Sequence, residues 1–431
     1  MHNERQNFLD SHTDLYQQPD AMMDSLDTLD VAPDSRANID LPNILWICRA
    51  IPFPLNAGDR VYSARLAEAV AAAGSRLTGF GLRSTETIMP QDPRGVEWIG
   101  VDASEKGTIS ALAGRLPLVT ERCSPSAAIA AFQELYRQRN PDVVVIDNYA
   151  AGWVLRQLPR GAARPKIVYV AHNHEEELAQ DIARDFSGSW PKKVALQLNA
   201  QKIAQLERIL VTSSDLVVTL TPKDRDGFAT RRQGRPMLVL PPGYTGKRRA
   251  TRVIDESVPR RVVMVGSVRW IAKQMNVAEF LAAADRKFAD AGIAFDIIGD
   301  VDEEFRESWI PKLKATRFLG FVDDLDRTMN DSRLGLIIEA TGGGFKLKLL
   351  DYLFSRVPIA ALEGSFEGVP QNVAKHFIIQ PTAENLADAI ISTVDRLDIL
   401  NEMQESSYRA AEGLFDWREN GRQFVDALRH L

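Results

Sequence analysis

With 431 residues, 45% hydrophobic and 26% charged, the chain exceeds one core and is too apolar for a disordered polymer, so two globular domains are expected. The net charge of -6 is concentrated at the start: residues 1–40 hold nine acids against Arg5 and Arg36, leaving an almost neutral body with no general support for nucleic-acid binding. Cys48 and Cys123 have no metal or redox spacing, no run reaches the ~18 to 20 apolar residues that span a bilayer, and the first residues lack a signal-peptide pattern, so a reduced cytoplasmic setting is expected.

Residues 1–40 show no sustained period and read as an acidic, disordered tail with a short helix near Met22 to Leu29. From Pro42, short β-branched runs alternate with helical patterns. They are Ile44 to Cys48, the helix Arg60 to Ala73, Leu77 to Gly81, Val96 to Val101, the helix Ser126 to Arg139, Val143 to Ile146, Ile167 to Ala171, Leu216 to Leu220 and Met237 to Leu240. Such alternation predicts a parallel sheet covered on both faces. The charged stretch Gly246 to Pro259, with Lys247, Arg248, Arg249 and Arg252, has no apolar period and reads as a linker. A second series follows: Val262 to Val265, the helix Val277 to Phe288, Phe295 to Ile298, Phe318 to Phe321, Leu334 to Ile338, a Gly-rich turn into a helix, Ile359 to Leu362, Phe377 to Gln380 and the helix Glu384 to Leu397. The predicted layout is an N-terminal doubly wound α/β domain at 41–245, a linker at 246–258, a second at 259–405, and terminal helices at 406–431 whose apolar residues Leu414, Phe415, Trp417, Phe424, Val425 and Leu428 pack back on the N-terminal domain.

In parallel α/β sheets ligands collect beyond the carboxyl ends of the strands, so the chemistry is sought in those turns. The first, Ile51-Pro-Phe-Pro-Leu-Asn-Ala-Gly-Asp-Arg60, is a stiff proline loop ending in glycine at a helix start; Gly58 admits a ligand to the helix N-terminus and Arg60 can meet a phosphate, or the segment is a structural turn. After Ala171 comes His172-Asn-His174-Glu175. The two histidines alternate on an extended segment without the helical His-Glu-x-x-His pattern, so His172 reads as a strand-end hydrogen-bonding group rather than a metal ligand. Gly266-Ser-Val-Arg-Trp-Ile-Ala-Lys273 allows close backbone approach at Gly266 and supplies two cations, Arg269 and Lys273.

The most informative turn is Thr341-Gly-Gly-Gly-Phe-Lys-Leu-Lys-Leu-Leu-Asp-Tyr-Leu353. Three glycines opening a helix after a buried strand present unpaired backbone N–H groups and a positive helix end to an anion. Lys346 and Lys348 add cationic reach, and Asp351 one turn on is placed to accept from ribose hydroxyls, so a nucleoside diphosphate fits the set. Neither Gly-x-x-x-x-Gly-Lys-Ser/Thr nor Gly-x-Gly-x-x-Gly occurs, which argues against a P-loop triphosphatase and a simple dehydrogenase.

The two α/β series, the Pro-Phe-Pro-Leu-x-x-Gly loop at 52–58, His172-Asn173, Val265-Gly-Ser, Phe318-Leu-Gly-Phe-Val322, and Gly-Gly-Gly-Phe-Lys-Leu-Lys-Leu-Leu-Asp-Tyr-Leu before Val357-Pro-Ile359 together resemble GT-B glycosyltransferases, most closely glycosyltransferase family 4, over residues 42–425. The resemblance implies two Rossmann-like domains facing across a cleft. It implies that the C-terminal domain binds a nucleotide sugar through Gly266, Arg269, Lys273, Gly343, Gly344, Phe345 and Lys348, with Asp351 near the ribose. It further implies a catalytic His172 facing the donor sugar and Gly58 near the phosphates. The activity it implies is metal- and cofactor-independent sugar transfer with retention, from a nucleotide sugar to a glycan or lipid-linked acceptor, in surface polysaccharide biosynthesis at the inner face of the membrane. The chain departs from the family pattern in having Gly343 and Asp351 where two glutamates are frequent, and Ser267 where an arginine is common. A sugar-nucleotide epimerase of the same architecture and a noncatalytic nucleotide-sugar-binding subunit are the alternative readings. The stretches Trp190-Pro-Lys-Lys193 and Lys202 to Leu210 read as a core-facing helix with solvated lysines in preference to a peripheral membrane contact.

Overall fold

The structure is a computed structural model that describes residues 42–431 apart from 56, 86, 163, 187 and 340–343. The acidic tail and Gly343 therefore lie outside the described residues. Two sheets form, as the alternation predicts. The first has seven strands, β1 (Asn43–Ala50), β2 (Arg76–Leu82), β3 (Val96–Val101), β4 (Val143–Asp147), β5 (Lys166–Ala171), β6 (Leu216–Thr219) and β7 (Met237–Val239), in the order β3-β2-β1-β4-β5-β6-β7. The second has six, β8 (Arg261–Val265), β9 (Ala294–Ile298), β10 (Thr316–Gly320), β11 (Leu334–Ile337), β12 (Ile359–Leu362) and β13 (Ile378–Gln380), in the order β10-β9-β8-β11-β12-β13. All its strand pairs are parallel, as are those from β3 to β5 in the first sheet. In each sheet the order reverses once, between β1 and β4 and between β8 and β11, and the carboxyl ends flanking such a reversal are where this architecture leaves room for a ligand.

The residues fall into two compact units: 171–204 with 218–417, and 42–170 with 205–217 and 418–431. In the first unit the second sheet is buried on both faces, which is why its strands are unbroken apolar runs instead of alternating ones. Val262, Met264, Leu334, Leu336, Ala360 and Leu362 face a layer built around Phe280, Phe288 and Phe295, whose rings meet edge to face at 5.6–6.2 Å. Val263, Val265, Ile337, Ile359 and Ala361 face the opposite layer, with Tyr352, Leu353 and Phe354. Tyr352 fixes the helix Lys348–Phe354 against the end of β8: its hydroxyl accepts from the Val265 amide at 2.7 Å and donates to the Val263 carbonyl at 3.3 Å.

Two stretches differ from the pattern reading. The expected helix Glu384 to Leu397 is two helices, Ala383–Thr393 and Leu397–Ala410. The buried Arg333 donates to the Val394 carbonyl at 3.1 Å and to Asp395 at 2.8 Å, satisfying the end of the first helix where it stops. The charged stretch after Gly246 is pinned in place: the buried Arg252 guanidinium donates to the carbonyls of Arg356, Asn330 and Ser332 at 2.8, 3.0 and 2.5 Å, and Arg248 lies 3.8 Å over the Phe354 ring. Arg252 and Arg248 spend their charge on backbone oxygens and an aromatic face, an arrangement invisible to apolar periodicity.

In the second unit the helix Gly58–Ala72 leaves β1, and the last helix, Trp417–Arg429, lies against it. A side chain at Gly421 would come within 2.2 Å of the Ala69 carbonyl oxygen, so glycine permits the close crossing, and Phe424 meets Trp46 at 5.5 Å. The Trp46 indole donates to the buried Asp147 at 2.8 Å. Among the described residues no helix is long and apolar enough to cross a membrane.

Candidate active site

The site is built at the reversal between β8 and β11. β8 ends in Val265, and Gly266 turns the chain out of the sheet with φ +141°, a conformation that favours glycine. A Cβ at Gly266 would sit 3.7 Å from Lys348 Nζ, so the bare backbone of this turn is in van der Waals reach of that ammonium group. Lys273 follows near the start of the helix Ile271–Asp290. Arg269 goes elsewhere: it is exposed and pairs with Asp300 at 2.9 Å.

Beyond β11 stands Glu339, 3% exposed, whose Oε1 accepts from Lys348 Nζ. Its other oxygen, Oε2, is buried and has no hydrogen-bond partner among the described residues. Burial alone would push this carboxyl up; Lys348, Lys273 and Lys346 together outweigh it and hold it below the ordinary value. The lysines respond in turn. Burial lowers Lys346 to about 8, with Glu339 opposing and Lys273 and Lys348 adding to the fall. Burial also lowers Lys273, again opposed by Glu339 and reinforced by Lys348. Three lysines and one buried carboxylate thus meet at the carboxyl ends of two adjacent strands.

Gly344 closes the other side. Its φ is +78°, and a Cβ there would lie 2.2 Å from Asn173 Oδ1 and 3.3 Å from the His172 carbonyl oxygen. The Gly-rich turn and the His172-Asn173 turn after β5 are therefore in contact. Asn173 donates to Glu175 at 3.1 Å, and the His174 amide donates to Asp224 at 3.1 Å, fixing the turn at the start of the helix Glu175–Asp185. His172 is buried, 6% exposed. His174 packs its ring 4.7 Å from Phe228, and burial lowers its pKa. Phe345 packs against Phe415 at 5.7 Å and against Gly368. Asp351 is half-buried on the first turn of its helix.

The structure thus brings together Gly266, Lys273, Gly344, Lys348 and the backbone of His172, with Asp351 on the same helix as Lys348. Gly58 is in the other compact unit, where it begins the helix Gly58–Ala72 without a side-chain cap on the preceding Ala57. Sequence reasoning missed Glu339 and Asn173. Glu339 had one signal, an acid ending an otherwise apolar strand just before glycines; Asn173 had none beyond adjacency to His172. Among the described residues no group of three or more His, Cys, Asp or Glu side chains is disposed to hold a metal ion.

Residues 57–243 match the glycosyl transferase 4-like domain, and residues 259–396 match the glycosyl transferases group 1 domain. No curated protein matches the chain. Among solved structures, sucrose-phosphate synthase from Thermosynechococcus elongatus is similar at 15% identity and TM-score 0.68, over 90% of this chain and 98% of that one. WaaG, a glycosyltransferase involved in lipopolysaccharide biosynthesis, is similar at 17% identity and TM-score 0.61, over 89% of this chain and 98% of WaaG. Anabaena HepE, solved with UDP-glucose, is similar at 14% identity and TM-score 0.62, over 90% of this chain and all of HepE. Two Rossmann-like domains, each matched by a glycosyltransferase domain, define a GT-B glycosyltransferase. The chain belongs to the family 4 type.

Proposed function

We propose that this enzyme moves a sugar from a nucleoside-diphosphate donor to a glycan or lipid-linked acceptor, without metal and with retention of the anomeric configuration, in the making of a surface polysaccharide. The observation that carries the donor half is the meeting of Lys273, Lys346 and Lys348 around Glu339, with Lys348 beside the bare backbone of Gly266, a set that neutralises a departing diphosphate. In this reading the bond from the anomeric carbon to the diphosphate oxygen breaks as the acceptor oxygen bonds to that carbon. The hydroxyl proton passes to the leaving diphosphate. His172 faces the donor sugar and Asp351 accepts from the ribose hydroxyls.

That HepE is solved with UDP-glucose supports a uridine donor as the first to test, and the role of WaaG in lipopolysaccharide biosynthesis supports an envelope glycan as acceptor. The exposed Trp190 and Leu198, near Lys192 and Lys193, support peripheral contact with an anionic bilayer at its cytoplasmic face. A thermal-shift panel of UDP-, GDP-, ADP- and dTDP-sugars tests the donor class. A ligand at a hundredfold excess over its dissociation constant stabilises by about 2.7 kcal/mol, so one nucleotide should give a clear upward shift; silence across the panel contradicts the proposal.

A further inference from the structure

We infer that Glu339 is a positioning residue for the anion seat: a resident carboxylate that holds the Lys348 ammonium and supplies the counter-charge around which Lys273 and Lys346 gather. The inference rests on the diphosphate reading above and extends it to a residue outside the proposed ligand contacts. Glu339 sits just beyond β11, at the reversal where the second sheet leaves room for a ligand. It is 3% exposed, and a carboxylate buried this deeply is retained only with cationic or hydrogen-bonding partners. Its hydrogen bond comes from Lys348, a residue whose ammonium also borders the Gly266 turn. Oε2, buried without a hydrogen-bond partner among the described residues, leaves the carboxylate with acceptor capacity that no described backbone amide takes up. Asp285 shows the contrast in the same unit, taking the amides of Lys314, Ala315 and Thr316 at 2.8–3.1 Å.

The charges facing Lys346 are Glu339 beyond β11, Lys273 on the helix Ile271–Asp290, Lys348 at the start of the next helix, and Asp224 on the helix Pro222–Arg232. Remove the Glu339 charge and the mutual repulsion of the lysines loses the largest charge opposing it at Lys346. Lys273 and Lys346 then shed protons at lower pH, and a seat that depends on their ammonium groups weakens there. Binding of an anion by a protonated lysine is lost as pH rises through that lysine's value in the unliganded protein. Wild-type affinity should therefore fall as pH rises through about 8.

The test is calorimetric titration of UDP and of inorganic pyrophosphate into wild type, Glu339→Gln and Glu339→Asp from pH 6 to 9. Loss of an opposite charge nearby moves a pKa by about one unit, so in Glu339→Gln the fall in affinity should begin about one pH unit lower, with binding at pH 8 down about fivefold. Glu339→Asp keeps the charge and should restore the wild-type midpoint even where affinity drops. Uniformly weaker binding by Glu339→Gln with an unmoved midpoint would reduce Glu339 to a structural role and overturn the inference. Should Glu339→Gln fail to fold, an Asp variant whose midpoint shifts down as for a lost charge would overturn it equally. Wild type binding neither probe at any pH would instead remove the diphosphate reading itself.

Discussion

Replacing Gly344 by alanine perturbs the point where the Gly-rich turn meets the His172-Asn173 turn. Two costs compete. The backbone φ of +78° charges an alanine about 1–2 kcal/mol for the left-handed conformation. The new Cβ would lie 2.2 Å from Asn173 Oδ1, but that atom ends a flexible side chain that can swing away, forfeiting the 3.1 Å bond its Nδ2 donates to Glu175, about 0.5–1.5 kcal/mol. The His172 carbonyl, 3.3 Å from the same Cβ, is backbone and must give by a few tenths of an ångström. The conformational term is thus the larger, and the total is about 1.5–3.5 kcal/mol. Urea unfolding of Gly344→Ala should show that loss, and titration with the donor nucleotide found in the panel should show weakened binding, because the turn moves relative to His172. A variant within about 0.5 kcal/mol of wild type, the range of an ordinary surface change, with unaltered donor affinity would refute the reasoning.

Lys348→Met should destabilise by about 3–5 kcal/mol in denaturant titration, because it strips the hydrogen-bonded partner from a buried carboxylate; adding Glu339→Leu should recover most of that stability while nucleoside-diphosphate binding stays lost. Tyr352→Phe leaves the buried Val265 amide without its acceptor and should cost about 1–3 kcal/mol by the same method. Burial pushes the Asp215 carboxyl up, but Arg164 and the Ile167 amide hold it below its ordinary value. A depressed carboxyl contributes stability in full above about pH 4, its unfolded value, and loses it as pH falls through the folded one. Asp215→Asn should therefore be less stable at pH 7 and lose less of its stability on acidification than wild type does.

The fold was legible because strands buried on two faces are written as continuous β-branched runs. Val262 to Val265 and Leu334 to Ile338 need no partner to be recognised. Helix limits were less so: the stop at Val394 is made by Arg333, 61 residues away, and no local pattern carries it. The basic stretch 246–259 read as a linker since periodicity counts only apolar side chains, whereas Arg252 anchors it through carbonyls. At the site, Lys273 and Lys348 announced themselves as cations in strand-end turns. Glu339 did not, because a single acid at a strand end looks like the first residue of a loop. The meeting of Gly344 with Asn173 joins residues far apart in the chain, and nothing local encodes it.

The most direct measurement is proton and phosphorus NMR of the enzyme turning over the α-linked nucleotide sugar that the panel identifies, with water or an added acceptor as the receiving hydroxyl. The account predicts release of the nucleoside diphosphate in step with a product that first appears with the α-anomeric signal. A donor left intact, a new isomeric sugar nucleotide formed without acceptor, or a product that first appears with inverted configuration would contradict it.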